Sequence, residues 1–124
     1  MAPLPYPGTR PCPCGSRRAY RDCCGPLLSG DRTAPTPETL MRSRYTAHVL
    51  RDGAYIQATW HPSTRPETAA PSEVQWLGLT VRRAAHATVS FTARYQWRGR
   101  HELRERSTFV QEAGRWWYLS GVEG

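Results

Sequence analysis

The spacing of apolar residues predicts two helices in the first half of the chain. Met41, Tyr45 and Val49 recur four positions apart, which places them on one face of a helix that runs to about residue 50. Thr36 precedes this stripe and suits the N-cap position, where its hydroxyl can accept from a free backbone N–H. Asp52 can cap a second, shorter helix that follows at once.

From residue 73 onward the helical periodicity gives way to patterns typical of strands, and residues 74–83 carry apolar side chains on both faces. In residues 87–97 the odd-numbered positions are apolar or aromatic and the even-numbered ones polar, which is typical of a half-buried strand. Three further strands are predicted over residues 74–83, 103–111 and 115–120. Helices followed by an antiparallel meander indicate the α+β class.

Four cysteines stand apart from this pattern, near the start of the chain. Cys12 and Cys14 flank a proline, and Cys23 and Cys24 follow after eight residues. Gly15 and a short helical turn let the chain fold back, so the four thiols can meet at one point. A tetrahedral Zn²⁺ with Zn–S distances of about 2.3 Å needs sulfurs roughly 3.8 Å apart. With four protein thiolates as ligands no position is left for a substrate, so the predicted zinc site is structural.

Two other states of the four thiols stay open at this point. Two disulfides are disfavoured, because the chain shows no secretion signal and a reducing cytosol keeps thiols reduced. A [2Fe–2S] cluster is the second alternative. It is also held by four thiolates, so the ligand set alone does not separate iron from zinc.

Composition narrows the function classes only slightly. The chain has 124 residues, enough for one domain of modest core plus the cysteine segment, and a formal charge of +7. Four thiolates with one Zn²⁺ would lower this charge by two, to +5. All 17 basic residues are arginine and lysine is absent, which indicates a GC-rich genome. The arginines are scattered along the sequence, so charge alone does not predict nucleic-acid binding.

The predicted location is the cytoplasm. Residues 1–13 are rich in proline and contain no apolar run, so they do not form a signal peptide. No stretch is long and apolar enough to predict a membrane span.

The cysteine segment resembles a known zinc-binding module. Residues 11–25 are similar to the SEC-C motif of the translocation motor SecA, with Cys-Pro-Cys-Gly-Ser followed by a Cys-Cys pair. The whole chain in turn resembles the YchJ family, through residues 40–45, 58–63, 76–81, 105–109 and 114–118. The resemblance implies a SEC-C motif over residues 8–30. It also implies a cone-shaped nuclear-transport-factor-2-like domain over residues 36–122, with a pocket inside.

Five residues are candidates for lining that pocket, namely Tyr45, Trp60, His61, Arg94 and Glu105. Glu105 shares its predicted strand face with apolar residues, so its carboxylate must be paired or have a raised pKa. We expect it to pair with an arginine of the first helix, Arg44 before Arg42, rather than to act as a general base. The aromatic residues of the strands are expected to belong to the core: Trp76, Tyr95, Trp97, Trp116 and Tyr118.

Two function classes follow from these observations. The first is a non-catalytic interaction module, in which Arg10, Arg17, Arg18 and Arg21 around the zinc motif contact an acidic protein or an RNA backbone, the ribosome included. The related SecA module binds a chaperone and associates with phospholipid and ribosomes, which favours this class by analogy. The second is a small-molecule-binding protein or a hydrolase- or isomerase-type enzyme that uses the cone. The first is preferred because the sequence holds a complete zinc ligand set and no complete catalytic set. The oligomeric state stays open, a homodimer included.

Overall fold

Both predicted helices begin directly after their predicted N-cap residues, Thr36 and Asp52. The computed structural model describes residues 2–124. Helix α1 covers Gly25–Leu28, α2 covers Pro37–Val49 and α3 covers Gly53–Ala58. The Thr36 hydroxyl accepts from the backbone N–H of Thr39 at 3.1 Å, and the Asp52 carboxylate accepts from Tyr55 N–H at 3.0 Å. The predicted caps therefore fix the start of α2 and α3.

The strands form one antiparallel sheet in chain order. Strand β1 covers Gln75–Ala85, β2 Thr88–Gln96, β3 Arg100–Glu112 and β4 Arg115–Glu123, in the order β1-β2-β3-β4. The predicted meander and the α+β class are confirmed. Strands β3 and β4 extend beyond their predicted ends, because β3 pairs with β2 as far as Arg100 and β4 pairs with β3 as far as Glu123. A two-residue turn at Ala113 and Gly114 joins them. Both turn residues have positive φ, 54° and 76°, a twist that matches the twist of the sheet.

Helix α2 packs on one face of the sheet, which is called the inner face below. Leu40, Met41 and Tyr45 of α2 meet Leu79, Val89, Phe91, Ala93 and Phe109 of the sheet in one cluster of buried residues. Cys12, Cys14 and Cys24 belong to the same cluster, at 4%, 0% and 1% exposure. The cysteine segment therefore shares the core of the sheet and has none of its own.

Two local predictions are corrected by the structure. The sequence predicts a turn-rich connector over residues 27–35, but residues 27 and 28 belong to α1, which begins at Gly25 and has Pro26 in its first turn, where a missing N–H carries no penalty. Trp97 was expected in the core, but it is 52% exposed. It follows the last residue of β2, so no neighbouring strand covers it. Trp76, Trp116 and Tyr118 do pack against the core.

Within residues 2–124, no helix combines the length and apolar character needed to cross a membrane.

Candidate functional site

The four cysteine sulfurs meet at one point. All four Sγ atoms lie within 4.8 Å of one another. The Sγ atoms of Cys14 and Cys23 are 3.6 Å apart, and those of Cys23 and Cys24 are 4.0 Å apart. All four residues are free thiols, with no disulfide between them. Cys23 is the one ligand that is partly exposed, so the cluster is open to solvent on a single side.

Backbone hydrogen bonds close the loop that carries these sulfurs. Cys12 N–H donates to the carbonyl of Arg18 at 2.8 Å, and Pro11 and Ala19 form an isolated β-bridge beside it. Gly15 turns the chain with φ of 81°, and its N–H donates to Cys12 at 3.2 Å. A 3₁₀ helix at Tyr20–Asp22 then returns the chain to the second cysteine pair. The fold-back predicted from Gly15 and the helical turn is thus the one that forms.

Helix α2 supports the cluster from below. The hydroxyl of Thr46, which is fully buried, donates to Cys24 Sγ at 3.4 Å and lies 3.8 Å from Cys12 Sγ. Arg42 donates through Nη1 to the Cys14 carbonyl at 2.8 Å and forms an ion pair with Glu38 at 3.0 Å. These contacts fix the cysteine loop to α2 through both a ligand sulfur and the backbone.

Without a metal, the thiols compete for protons. Hydrogen bonding to Cys14, together with burial, raises the pKa of Cys12 to about 11. Hydrogen bonds from Cys12 and Cys24 lower the pKa of Cys14, and hydrogen bonds with Cys12 and Cys14, together with burial, raise the pKa of Cys24. One thiolate is therefore stabilised by the neighbouring protonated thiols. A metal ion binds thiolates, so its binding must release the remaining protons.

The residues present suit one metal ion. Four sulfurs within 4.8 Å match the roughly 3.8 Å spacing of a tetrahedral site with metal–sulfur distances of about 2.3 Å. A donor set made only of sulfur favours soft ions over magnesium or calcium. The four cysteines could therefore hold a metal ion, and their closed geometry leaves it no position for a substrate.

A separate cavity of about 590 Å³ lies between α2 and the inner face of the sheet. Of the five predicted pocket residues, Tyr45, Trp60 and Glu105 line it. Arg44 and His48 also line it. Arg44 was expected only as the partner of Glu105, and His48 was not proposed from the sequence. Arg44 follows Met41 and His48 follows Tyr45 by three residues on α2, the helical spacing that could have identified both.

The structure does not bring Arg94 or His61 into this cavity. Arg94 lies opposite Glu102 on the outer face of the sheet, where it donates to the Thr80 hydroxyl at 3.0 Å. Alternation along β2 requires this, because Ala93 and Tyr95 point inward. His61 is held by its backbone N–H, which donates to the Tyr118 carbonyl at 2.7 Å, and its ring faces away from the cavity toward Glu112.

The expected pairing of Glu105 with an arginine of α2 is wrong. Within residues 2–124 the Glu105 carboxylate forms no ion pair with Arg44 or Arg42. It accepts instead from the hydroxyl of Ser107 at 2.8 Å. Tyr118 accounts for the separation, because its ring lies against the Arg44 guanidinium, 4.3 Å away, and its hydroxyl lies beside the Glu105 carboxylate.

Arg44 is directed to the end of α3. Its Nη1 donates to the Ile56 carbonyl at 2.8 Å and to the Thr59 hydroxyl at 2.7 Å. The last carbonyls of a helix have no N–H partner within the helix, so they attract donors such as a guanidinium. The arginine thereby fastens α2 to α3, and the sheet carboxylate is not needed for this.

His61 takes part in a cluster that the sequence did not predict. His61 Nδ1 lies 2.7 Å from the Ser63 hydroxyl, and His61 Nε2 lies 2.8 Å from the Glu112 carboxylate. The residue types are those of a hydrolytic triad, but the next two backbone N–H groups, of Thr64 and Arg65, both donate to the His61 carbonyl. They are unable to stabilise an oxyanion there. The cluster instead attaches this loop to the β3–β4 hairpin.

The four arginines of the predicted partner surface are all exposed: Arg10, Arg17, Arg18 and Arg21. Arg10 lies over the ring of Tyr6, at 5.8 Å from its centre. None of the four forms an ion pair in the part of the chain that the structure describes.

Comparison with known proteins agrees with this architecture. The model of the SEC-C motif matches residues 10–26, which include all four cysteines. The model of the YchJ middle NTF2-like domain matches residues 36–121. The chain belongs to the YchJ family. The family and fold predicted from the sequence are confirmed.

Relatives of this YchJ-family protein match over nearly their whole length. The UPF0225 protein of Deinococcus radiodurans is 49% identical over 121 residues, covering 95% of this chain and 93% of that protein. The UPF0225 protein of Xanthomonas oryzae pv. oryzae is 51% identical over 119 residues, covering 88% and 92%.

Two solved structures share the fold. A SEC-C motif containing protein from Rhodopseudomonas palustris, determined in solution, superposes with a TM-score of 0.83 at 37% identity, covering 93% of this chain and 99% of that one. A SEC-C motif containing protein from Psychrobacter arcticus, determined by crystallography, gives a TM-score of 0.79 at 28% identity, covering 94% and 84%. The YchJ-type arrangement of motif and domain is therefore the same in all three.

The contact between Thr46 and the cysteine sulfurs predicts a specific defect. Thr46→Val keeps the shape of the side chain but removes the hydroxyl that donates to Cys24. We expect metal affinity to fall about tenfold, as it does when a group that orients metal ligands is lost. Competition against a chromophoric chelator measures this. Thr39→Val, on the same helix but away from the cysteines, should leave the affinity unchanged, and equal affinities in both variants would contradict the prediction.

The buried imidazole of His48 predicts acid sensitivity. Burial, and secondarily the nearby Arg44 charge, lower the pKa of His48 to about 4, from about 6.5 in the unfolded chain. Between these values the unfolded chain binds a proton that the folded one does not. Stability is therefore fully present above pH 6.5 and falls as the pH drops toward 4, by roughly 3 kcal/mol at most.

Chemical denaturation at several pH values measures this effect. His48→Gln should flatten the slope of unfolding free energy against pH in this window. His86→Gln, a change at an exposed histidine, should keep the slope of the unaltered protein. An unchanged slope in His48→Gln would show that other groups cause the acid sensitivity.

Proposed function

We propose that this protein is a non-catalytic interaction module built on a structural zinc site. The observation that carries the proposal is the cluster of four cysteine sulfurs within 4.8 Å, in a segment that also carries four exposed arginines. Zinc is the ion that suits such a cluster, since tetrahedral Cys₄ coordination is its usual structural site.

The zinc would supply folding energy to the cysteine loop. The loop buries few apolar side chains outside the sulfurs, chiefly Leu27, with Tyr20 and Leu28 half-buried. Small segments of this kind depend on metal ligation for their fold. Four free thiols also suit a reducing compartment, which supports our proposal that the protein is cytoplasmic.

A binding role is favoured over catalysis by the chemistry of the site. Four thiolates complete the coordination of zinc, so no water or substrate position is open. The Ser63–His61–Glu112 cluster lacks free backbone donors beside it, as described above. The exposed surfaces and the cavity between α2 and the sheet are therefore the features that can support a binding function.

The partner that we propose for the cysteine loop is an acidic macromolecule. Arg17, Arg18 and Arg21 project from the segment between the two cysteine pairs, and Arg10 stands beside them. Guanidinium groups pair bidentately with carboxylates and phosphates. Four of them are too few to read a base sequence but sufficient for an acidic protein segment or an RNA backbone.

Metal content and its removal test the zinc site. Elemental analysis should find one zinc and no iron per chain, and Cys14→Ser should lose it. Ser16→Ala, beside Cys23 but not itself a ligand, should retain one zinc. Iron in the purified protein would contradict the proposal.

Removing the zinc with a chelator should lower the melting temperature and release amide protection. The sequence alone predicts that the loss is confined mainly to residues 8–30. Because Cys12, Cys14 and Cys24 share the core of α2, we now expect amides of α2 to lose protection as well. Hydrogen exchange measures this, and full protection of α2 in the metal-free protein would oppose the shared-core explanation.

Charge reversal tests the partner surface. Changing Arg17, Arg18 and Arg21 together to Glu should abolish partner capture, because the guanidinium–anion pairs are replaced by repulsion. Zinc content and melting temperature should stay as in the unaltered protein, since all three side chains are exposed.

The matched control reverses three exposed arginines of the sheet, Arg83, Arg100 and Arg104, which gives the same net charge. This control should keep the partner. Nuclease treatment before capture separates an RNA from an acidic protein. If the variant with Arg17, Arg18 and Arg21 changed to Glu still captures every partner, the cysteine loop is only a structural cap.

A further inference from the structure

The cavity between α2 and the sheet has the character of a small-molecule site. Its volume of about 590 Å³ lies within the range of ligand pockets, roughly 300–1,000 Å³. One wall is aromatic: the ring of Trp76 stands edge-on to those of Tyr45 and Tyr95, with centres 5.7 and 5.6 Å apart. Trp97 and Leu103 stand at its rim, 52% and 38% exposed. A flat apolar molecule would lie against this wall.

Arg44 supplies the polar feature of this cavity. The residue is 8% exposed and lines the cavity wall. Both of its hydrogen bonds use Nη1, to Ile56 and Thr59. Within residues 2–124, its Nε and Nη2 have no hydrogen-bond partner. These two nitrogens form the edge of the guanidinium that pairs bidentately with a carboxylate.

The positive charge of Arg44 is present and has no salt-bridge partner in the described part of the chain, although Glu105 lies near enough to favour it. Burial lowers the pKa of Arg44 to about 10, so the group stays charged at neutral pH. A buried charge without a partner is costly, and buried guanidinium groups are normally paired with an acid. Here Tyr118 keeps the carboxylate of Glu105 away, and the guanidinium carbon of Arg44 lies over the rings of Tyr118 and Trp60, at 4.3 and 5.3 Å from their centres. The free edge is therefore available to an anion that enters the cavity from solvent.

We propose that the cavity binds a small monocarboxylate with a flat, apolar body, its carboxylate on the Nε and Nη2 edge of Arg44. The body of the ligand lies against Trp76, Tyr95 and Trp97. Glu105 is the one acidic side chain that lines the cavity, and it repels a second negative charge. Its presence selects monocarboxylates against dicarboxylates. This proposal is independent of the zinc site and of the arginine surface on the cysteine loop.

Matched acids and amides test the proposal on the unaltered, metal-containing protein. The probes are indole-3-acetate and benzoate, with indole-3-acetamide and benzamide as neutral analogues of the same shape. Titrations followed by backbone amide shifts in NMR should place the acids in the cavity. We expect each acid to bind at least about tenfold tighter than its amide, the usual effect of hydrogen bonds to a charged group. Acids that bind no better than their amides, or that shift only amides outside the cavity, would overturn the proposal.

Variants of α2 assign the binding to Arg44. Arg44→Lys keeps the charge but loses the two-nitrogen edge, and should weaken acid binding about tenfold or more. Arg42→Lys, on the same helix but bonded to Glu38 and Cys14, should bind as the unaltered protein does. Unchanged binding in Arg44→Lys would refute the assignment. If Arg44→Lys fails to fold, the comparison of acids with amides on the unaltered protein still tests the proposal. Trp97→Ala, at an exposed position, should lower the affinity for the acids, because the proposed contact with the ring is lost.

Discussion

Burial of three cysteine sulfurs against helix α2 is the contact on which the rest of the molecule depends. Cys12, Cys14 and Cys24 lie in the same core as Leu40 and the inner face of the sheet. A thiol cluster of this kind is compatible with an apolar core only when its charges are neutralised, by protons or by a metal ion. The two segments matched by separate family models, residues 10–26 and 36–121, are therefore joined by one core.

Helix α2 achieves this by using two different faces. Small residues at Ser43, Thr46 and Ala47, all fully buried, allow the cysteine loop and α3 to approach the helix closely. The neighbouring face carries Met41, Arg44, Tyr45 and His48 into the cavity. The cysteine loop and the cavity thus lie on adjoining faces of one helix. A shift of α2 at the sulfurs would move Arg44 as well, which gives the two sites a physical route for mutual influence.

Features that depend on neighbouring residues could be predicted from the sequence, whereas the partners of side chains that are distant in the sequence could not. Caps at Thr36 and Asp52, alternation along β2 and the cysteine spacing each act within a few residues, so the sequence revealed them. The partner of Glu105 was mispredicted because Arg44 bonds to the end of α3 instead of to the carboxylate. The sequence does not show that the end of α3 lies within reach of Arg44. The error at Arg94 was avoidable. Arg94 is one of the even-numbered, polar positions of β2, and the alternation of the strand places these positions on the outer face of the sheet, away from the pocket.

The position of Tyr118 explains why the cavity stays open. Had Arg44 and Glu105 met, a buried ion pair would have crossed the space between α2 and the sheet and satisfied both charges. The Tyr118 ring covers one face of the guanidinium at 4.3 Å, and its hydroxyl stands beside the carboxylate. Gly121 makes this arrangement fit, because a Cβ there would collide with the Glu105 carboxylate. One aromatic side chain thereby holds two opposite charges apart and leaves the free edge of the arginine for a molecule that enters from solvent.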